Sequence, residues 1–214
     1  NPRLLLLEQY WGERKRQFNA FYIPKPERAK DPEATRQLSK LLRTMGGSDK
    51  AARGLIQRNQ AHVSKSGVIH LLGEGDGSGA LALSEGPSNA WTERRLGKAR
   101  APFYSSRPKG NAVRLFLDAK HFIARHGDEA FGSGKRPQGL LALLSPEHEP
   151  VDHYVNKHRE VHSITLVHAG KKPTRDEIDF FGVLKSRYQH HKISVALVGP
   201  EHEMSRSRGP DLSL

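Results

Sequence analysis

Cysteine is absent from the 214 residues. That excludes a disulfide framework and any thiolate-held zinc or iron–sulfur site, and it fits a cytoplasmic protein. Long apolar runs are missing too. Leu4-Leu5-Leu6-Leu7 is broken by Glu8, far short of the ~20 residues that cross a bilayer, so no membrane span is expected. The chain begins Asn1-Pro2 without a methionine, as expected of a piece cut from a longer protein. Several catalytic signatures are absent as well. No strand is followed by G-x-G-x-x-G, no H-E-x-x-H occurs, and the Asp-x-Asp pair of a topoisomerase–primase metal site is missing. No nucleophile stands beside a recognisable base. These residues do not argue for an enzyme, and a non-catalytic role without a cofactor is the expectation.

Acidic residues are few: 23 against 35 lysines and arginines, a net charge of +12. The surplus is uneven. Residues 1–65 hold 14 basic and 6 acidic residues, net +8, while 66–110 and 111–214 carry +2 each. A basic excess gathered in one segment favours a polyanionic partner, nucleic acid above all, with DNA expected ahead of RNA.

The pattern predicts an α+β protein in two segments, 1–110 and 111–214. The first is a basic helical segment with a central β-hairpin. Leu4, Leu7, Trp11, Phe18 and Tyr22 recur at near-helical spacing around Arg14-Lys15-Arg16, until Pro24 and Pro26 end the run. Asp31-Pro32-Glu33 starts a second helix and Ser48 caps a third. Residues 67–72 and 80–83 are short apolar runs flanking GEGDGSG, which reads as a hairpin tip because Glu74 and Asp76 would repel a phosphate. Residues 84–110 read as a loop with one short helix near Trp91. There Arg94, Arg95, Lys98 and Arg100 stand beside aromatic rings, a mix suited to nucleic acid.

The second segment reads as a small sheet. Val113–Leu117 is a strand, His121–Ile123 its expected partner, and Gly139–Leu144 another strand. Residues 164–198 form a β-α-β unit whose helix starts with a Thr174/Glu177 capping box. Before that helix the chain reads ITLVHAGKKPT: a strand, a glycine, Lys171-Lys172 and a helix start. This is not a Walker A loop, because Thr165 stands where the first glycine belongs and Lys172 follows Lys171. The two lysines are still placed to hold one backbone phosphate. Histidines 148, 153, 158 and 162 with Glu149 and Asp152 keep a metal-dependent hydrolase open as an alternative, His158 and His162 being four apart. A module recognising acidic protein partners is the other.

One stretch adds a resemblance. RLFLDAKHFIARHGDEAF (Arg114 to Phe131) resembles the opening motif of a domain attached to plasmid-mobilisation (conjugative) relaxases. In that family a strand, an Asp-Gly-Lys turn, a second strand and an Arg/His-Gly-Asp turn recur. Leu117-Asp118-Ala119-Lys120 and His126-Gly127-Asp128 stand at the matching places, with Ala119 for the usual glycine. The tail SRSRGPDLSL is similar to the ends of proteins exported by type IV secretion. The resemblance covers at most half the chain and does not extend to the nicking domain's catalytic tyrosine or histidine triad. It implies an accessory or C-terminal domain that handles plasmid DNA or presents it to a secretion channel, with relaxosome or secretion proteins as further partners.

Overall fold

Proline at the first helical position opens α1 (Pro32–Thr44), where its missing N–H costs nothing. Leu38, Leu41 and Leu42 share one face and are buried. Gly46 ends the helix in the left-handed region (φ 86°), and the Gly47 N–H returns to the Leu42 carbonyl at 2.7 Å, a Schellman closure. Ser48 then caps α2 (Asp49–Gln57), its hydroxyl accepting from the Lys50 N–H at 3.1 Å. A computed structural model describes residues 32–64, 67–74, 79–86, 91–97, 101–132 and 136–199. The helix expected over residues 4–22 and Arg14-Lys15-Arg16 lie outside them.

Four strands follow as an antiparallel meander in the order β1-β2-β3-β4: β1 (Ala61–Val63), β2 (Ile69–Leu72), β3 (Gly79–Glu85) and β4 (Trp91–Gly97). The expected hairpin is the β2–β3 pair, with Leu71 opposite Leu81; residues 75–78 of its tip lie outside the described residues. The short helix expected near Trp91 is instead β4. Most of β3 is buried, and its backbone N–H and C=O groups need partners there. Residues 91–97 supply them along the whole strand.

The second sheet has the order β5-β7-β6-β8-β9: β5 (Tyr104–Ser105), β6 (Ala112–Phe116), β7 (Leu140–Ala142), β8 (Ser163–Val167) and β9 (Ser194–Val198). β5 is antiparallel to β7, and the other four strands are parallel. Parallel neighbours need crossovers, and α3 (Ala119–Phe131), α4 (Glu149–Lys157) and α5 (Arg175–Tyr188) provide them. The expected β-α-β unit is β8-α5-β9. The strand expected at His121–Ile123 is part of α3. Asp118 caps that helix by accepting from the Lys120 N–H at 2.8 Å, and Phe122, Ile123, Ala130 and Phe131 bury one side. The His126-Gly127-Asp128 stretch, a turn in the relaxase resemblance, lies within this helix.

Strand alternation splits the second sheet between two cores. Phe116, Ala142 and Val167 join α1–α3 and the first sheet in one. Leu115, Leu141 and Leu166 face Tyr154, Phe180 and Leu184 of α4 and α5 in the other. The first core draws residues from both sides of the 110/111 boundary. The architecture is α+β, and no helix among the described residues is long and apolar enough to cross a membrane.

Candidate nucleic-acid interface

The loop 168–174 joins β8 to α5 and carries Lys171 and Lys172. Its anion position is filled by the chain itself. The Glu177 carboxylate accepts from the Ala169 N–H at 3.0 Å, the Thr174 N–H at 2.7 Å and the Thr174 hydroxyl at 2.9 Å. Burial alone would raise the Glu177 carboxyl, but these bonds outweigh it and hold it below the ordinary carboxylate range. His168, buried at the end of β8, donates from Nδ1 to the Gly170 carbonyl at 2.9 Å and closes the loop from the other side. Backbone donors spent on Glu177 are not free for a phosphate. Lys171 and Lys172 remain exposed, so their side-chain charge is still open to a phosphate. Glu177→Ala is expected to lower stability by about 1–3 kcal/mol, the cost of a lost cap and unpaired loop donors. A urea titration checks this, and an unchanged midpoint would mean the carboxylate holds nothing.

A larger opening lies where α1 leaves part of the first sheet uncovered. The groove measures ≈ 1030 Å³ and runs between α1 and the β2–β4 side of the sheet. Arg36, Lys40 and Arg43 line its helical wall; their i, i+4, i+7 spacing puts them on one face. Trp91 lines the opposite wall, half-buried and packed against the first core. Glu33, Asp49 and Glu85 also line it. Lys40 reaches Glu85 at 2.7 Å, and Arg43 grips Asp49 at 2.6 Å. Both pairs are solvent-exposed, where an ion pair is worth about 0–1 kcal/mol, so a phosphate can take over either cation. Asp49 also holds the Arg43 guanidinium above its ordinary range.

Strand alternation places the remaining β4 residues. Glu93 and Arg95 stand opposite Leu83 and Leu81, both core residues, so they share the Trp91 side. Glu93 is bound by Lys120 at the start of α3. This ties the strand to the carboxyl end of β6. Arg94 falls on the opposite face, in one cross-strand row with Ala82, His70 and His62. Arg94 and Arg95, taken from the sequence as one patch, are exposed but on different faces. Lys98 and Arg100 lie outside the described residues. The cations at 36, 40 and 43 went unnoticed in the sequence, although their spacing on a helix whose other face is leucine-rich was a usable signal.

The two histidines in that row stack with ring centroids 5.1 Å apart, and neither Nδ1 has a hydrogen-bond partner among the described residues. Burial lowers both below the ordinary value of 6.5, and His70 lowers His62 further. The unfolded chain therefore takes up protons before the folded one. The pair's contribution to stability is complete above about pH 6.5 and is lost as the pH falls toward the lowered folded-state values. A His62→Phe/His70→Phe double variant is expected to lose much of the fall in urea midpoint between about pH 7 and 5. An unaltered pH dependence would place the titrating groups elsewhere.

The 148–162 histidines are dispersed. His148 stacks on Phe180 at 4.6 Å, His158 ends α4, and His162 lies beyond that helix. Asp152 is engaged by Arg187 at 2.8 Å and by the Tyr188 hydroxyl at 2.7 Å. No group of three or more metal-ligating side chains occurs among the described residues. The class defined so far is an α+β protein with a mixed, largely parallel sheet and a Trp-lined groove. Compared with protein-family models, curated proteins and solved structures, the chain matches none of them.

Proposed function

We propose that this protein binds single-stranded nucleic acid in the groove between α1 and β4, without catalysing a reaction on it. The observation that carries this reading is Arg36, Lys40 and Arg43 on one wall facing Trp91 on the other. Cations along a backbone track and an aromatic ring for a base are the two parts of sequence-tolerant strand binding. A groove with a recessed ring suits an unstacked base better than a duplex, whose bases are hidden. Phosphate contacts of this kind set affinity and orientation without reading sequence. The overall charge of +12 draws the strand in, and the exposed Arg95 extends the track along β4. DNA is the expected ligand if the resemblance to relaxase-associated domains holds. The protein would then act as an accessory domain that holds plasmid DNA or delivers it to a secretion channel.

The test is fluorescence-anisotropy binding to labelled single- and double-stranded DNA and RNA across a salt series. The reading predicts preference for single strands, with log affinity falling by about 0.7 per log unit of salt for each phosphate contact. No binding at low salt would end it. Binding displaced by an acidic protein but indifferent to strand type would favour the protein-interaction module.

A further inference from the structure

The second sheet ends on β9, and among the described residues no strand pairs with its outer edge. The bonds to β8 show which backbone groups are left over. The Ser194 N–H donates to the His162 carbonyl at 2.9 Å, and the Val198 carbonyl accepts from the His168 N–H at 3.1 Å. Alternation therefore turns the N–H and C=O of Ser194, Ala196 and Val198 toward β8, and those of Val195 and Leu197 outward. Edge strands are ordinarily blunted by a charge, a proline or a bulge. β9 reads SVALV, without charge or proline, and its register against β8 is unbroken. This uncharged edge belongs to a chain of net charge +12.

The helix beside this edge adds an apolar flank. α5 packs on β9 and buries Phe180, Leu184 and Tyr188. Helical spacing puts Val183 and Arg187 on one flank, where Arg187 holds Asp152 of α4. Ile178, Phe181 and Lys185 fall on the other flank, away from α4 and beside the outer edge of β9. Ile178 is 49% exposed. Phe181 is half-buried and packs with Val195 and Leu197 on the second core. At Gly182 a Cβ would meet nothing within 4 Å, so the helix surface is open to a close neighbour.

This surface is complementary to itself. A two-fold axis at Ala196 sets β9 antiparallel to the same strand of a second copy, with Val195 opposite Leu197. In that register every outward N–H and C=O of β9 is bonded. Ala196 meets its own mate at the position where facing Cα atoms come closest, ~4.5 Å, and its side chain is small enough to fit. No like charges face each other across the strands. The same axis runs the two α5 helices in opposite directions. The acidic first turn of each (Asp176, Glu177) then lies toward the basic last turn of the other (Lys185, Arg187), with the helix dipoles opposed. We infer that two copies of this chain associate through β9 and α5 as a symmetric dimer with one continuous sheet. The inference does not depend on strand binding in the groove.

The absence of cysteine from the chain makes crosslinking a clean test. Ala196→Cys puts a single thiol at an exposed position, and the axis brings it to its own mate within the ~4.4–6.8 Å Cα separation that a disulfide needs. Mild oxidation should give a covalent dimer. Val183→Cys, 46% exposed on the α4 flank, should stay monomeric. Sedimentation of the unaltered chain at rising concentration should show its mass climbing toward twice 23.9 kDa, more readily in high salt, which screens the repulsion of two basic chains. Ala196→Lys sets like charges directly opposite each other and should weaken association about tenfold or more. Ile178→Lys, facing Lys185 of the second copy, should weaken it too, while Val183→Lys should not. These positions are exposed, so the fold is expected to survive each change. A chain that keeps the mass of one copy at high concentration would overturn the dimer. So would equal crosslinking of the two cysteine variants, or association that Ala196→Lys leaves intact.

Discussion

A chain carrying Arg36→Gln, Lys40→Gln and Arg43→Gln is expected to bind a single-stranded oligonucleotide roughly 100-fold more weakly near physiological salt. Its log–log salt slope should be shallower by about 2, from ~0.7 per lost phosphate contact. The fold should survive. All three side chains are exposed, and the ion pairs given up, Lys40–Glu85 and Arg43–Asp49, are solvent-facing; pairs of that kind contribute ~0–1 kcal/mol each. The substitution also takes these cations from Asp49 and Glu85 while Glu33 stays in the lining, so the groove turns acidic and repels a phosphate. Lys185→Gln/Lys192→Gln, at the far end of α5 and just beyond it, lowers the net charge without touching the groove. A triple variant no weaker than this control would show that binding follows overall charge and not the groove.

Gly54→Ala is expected to be the most damaging single substitution to stability. A methyl group built at Gly54 would sit 1.8 Å from the Phe131 carbonyl oxygen and 2.6 Å from its carbonyl carbon. The obstacle is the backbone of α3, so a rotamer change cannot relieve it. α2 and α3 touch through small residues, with Ala51 against Gly127 as well. The pair can accommodate alanine only by moving apart. That would open the first core where Leu55, Phe122 and Phe131 meet. Overpacking of this kind costs about 1–3 kcal/mol or more, which outweighs the gain of up to ~1 kcal/mol that alanine brings to a helix. Chemical denaturation of the variant measures the balance. A variant as stable as the parent would mean the two helices are not in close contact.

Much of the fold was legible because its signals are local. Pro32, Ser48 and the Thr174/Glu177 box marked helix starts, and each is seen to work in that way. The β8-α5-β9 unit followed from two apolar runs separated by an amphipathic one. What escaped was decided by distant partners. β4 carries Thr92, Glu93, Arg94 and Arg95, all exposed, and is a strand because β3 needs a neighbour. His121–Ile123 reads as a short apolar run that periodicity alone cannot assign; the parallel pairing of β6 with β7 requires a crossover there. The candidate site was half legible. Trp91 and Arg95 stood out as charge beside an aromatic ring. The cations facing Trp91 come from a helix about fifty residues earlier, and only the tertiary fold brings them together.

Strand binding in the groove would set a base against Trp91. Photocrosslinking a single-stranded oligonucleotide carrying 5-iodouracil, followed by mass spectrometry of the adducts, tests it most directly. A dominant adduct at Trp91, lost in the Arg36/Lys40/Arg43 variant, is expected. Efficient crosslinking confined to residues away from α1 and β4, with Trp91 unmodified, would contradict it.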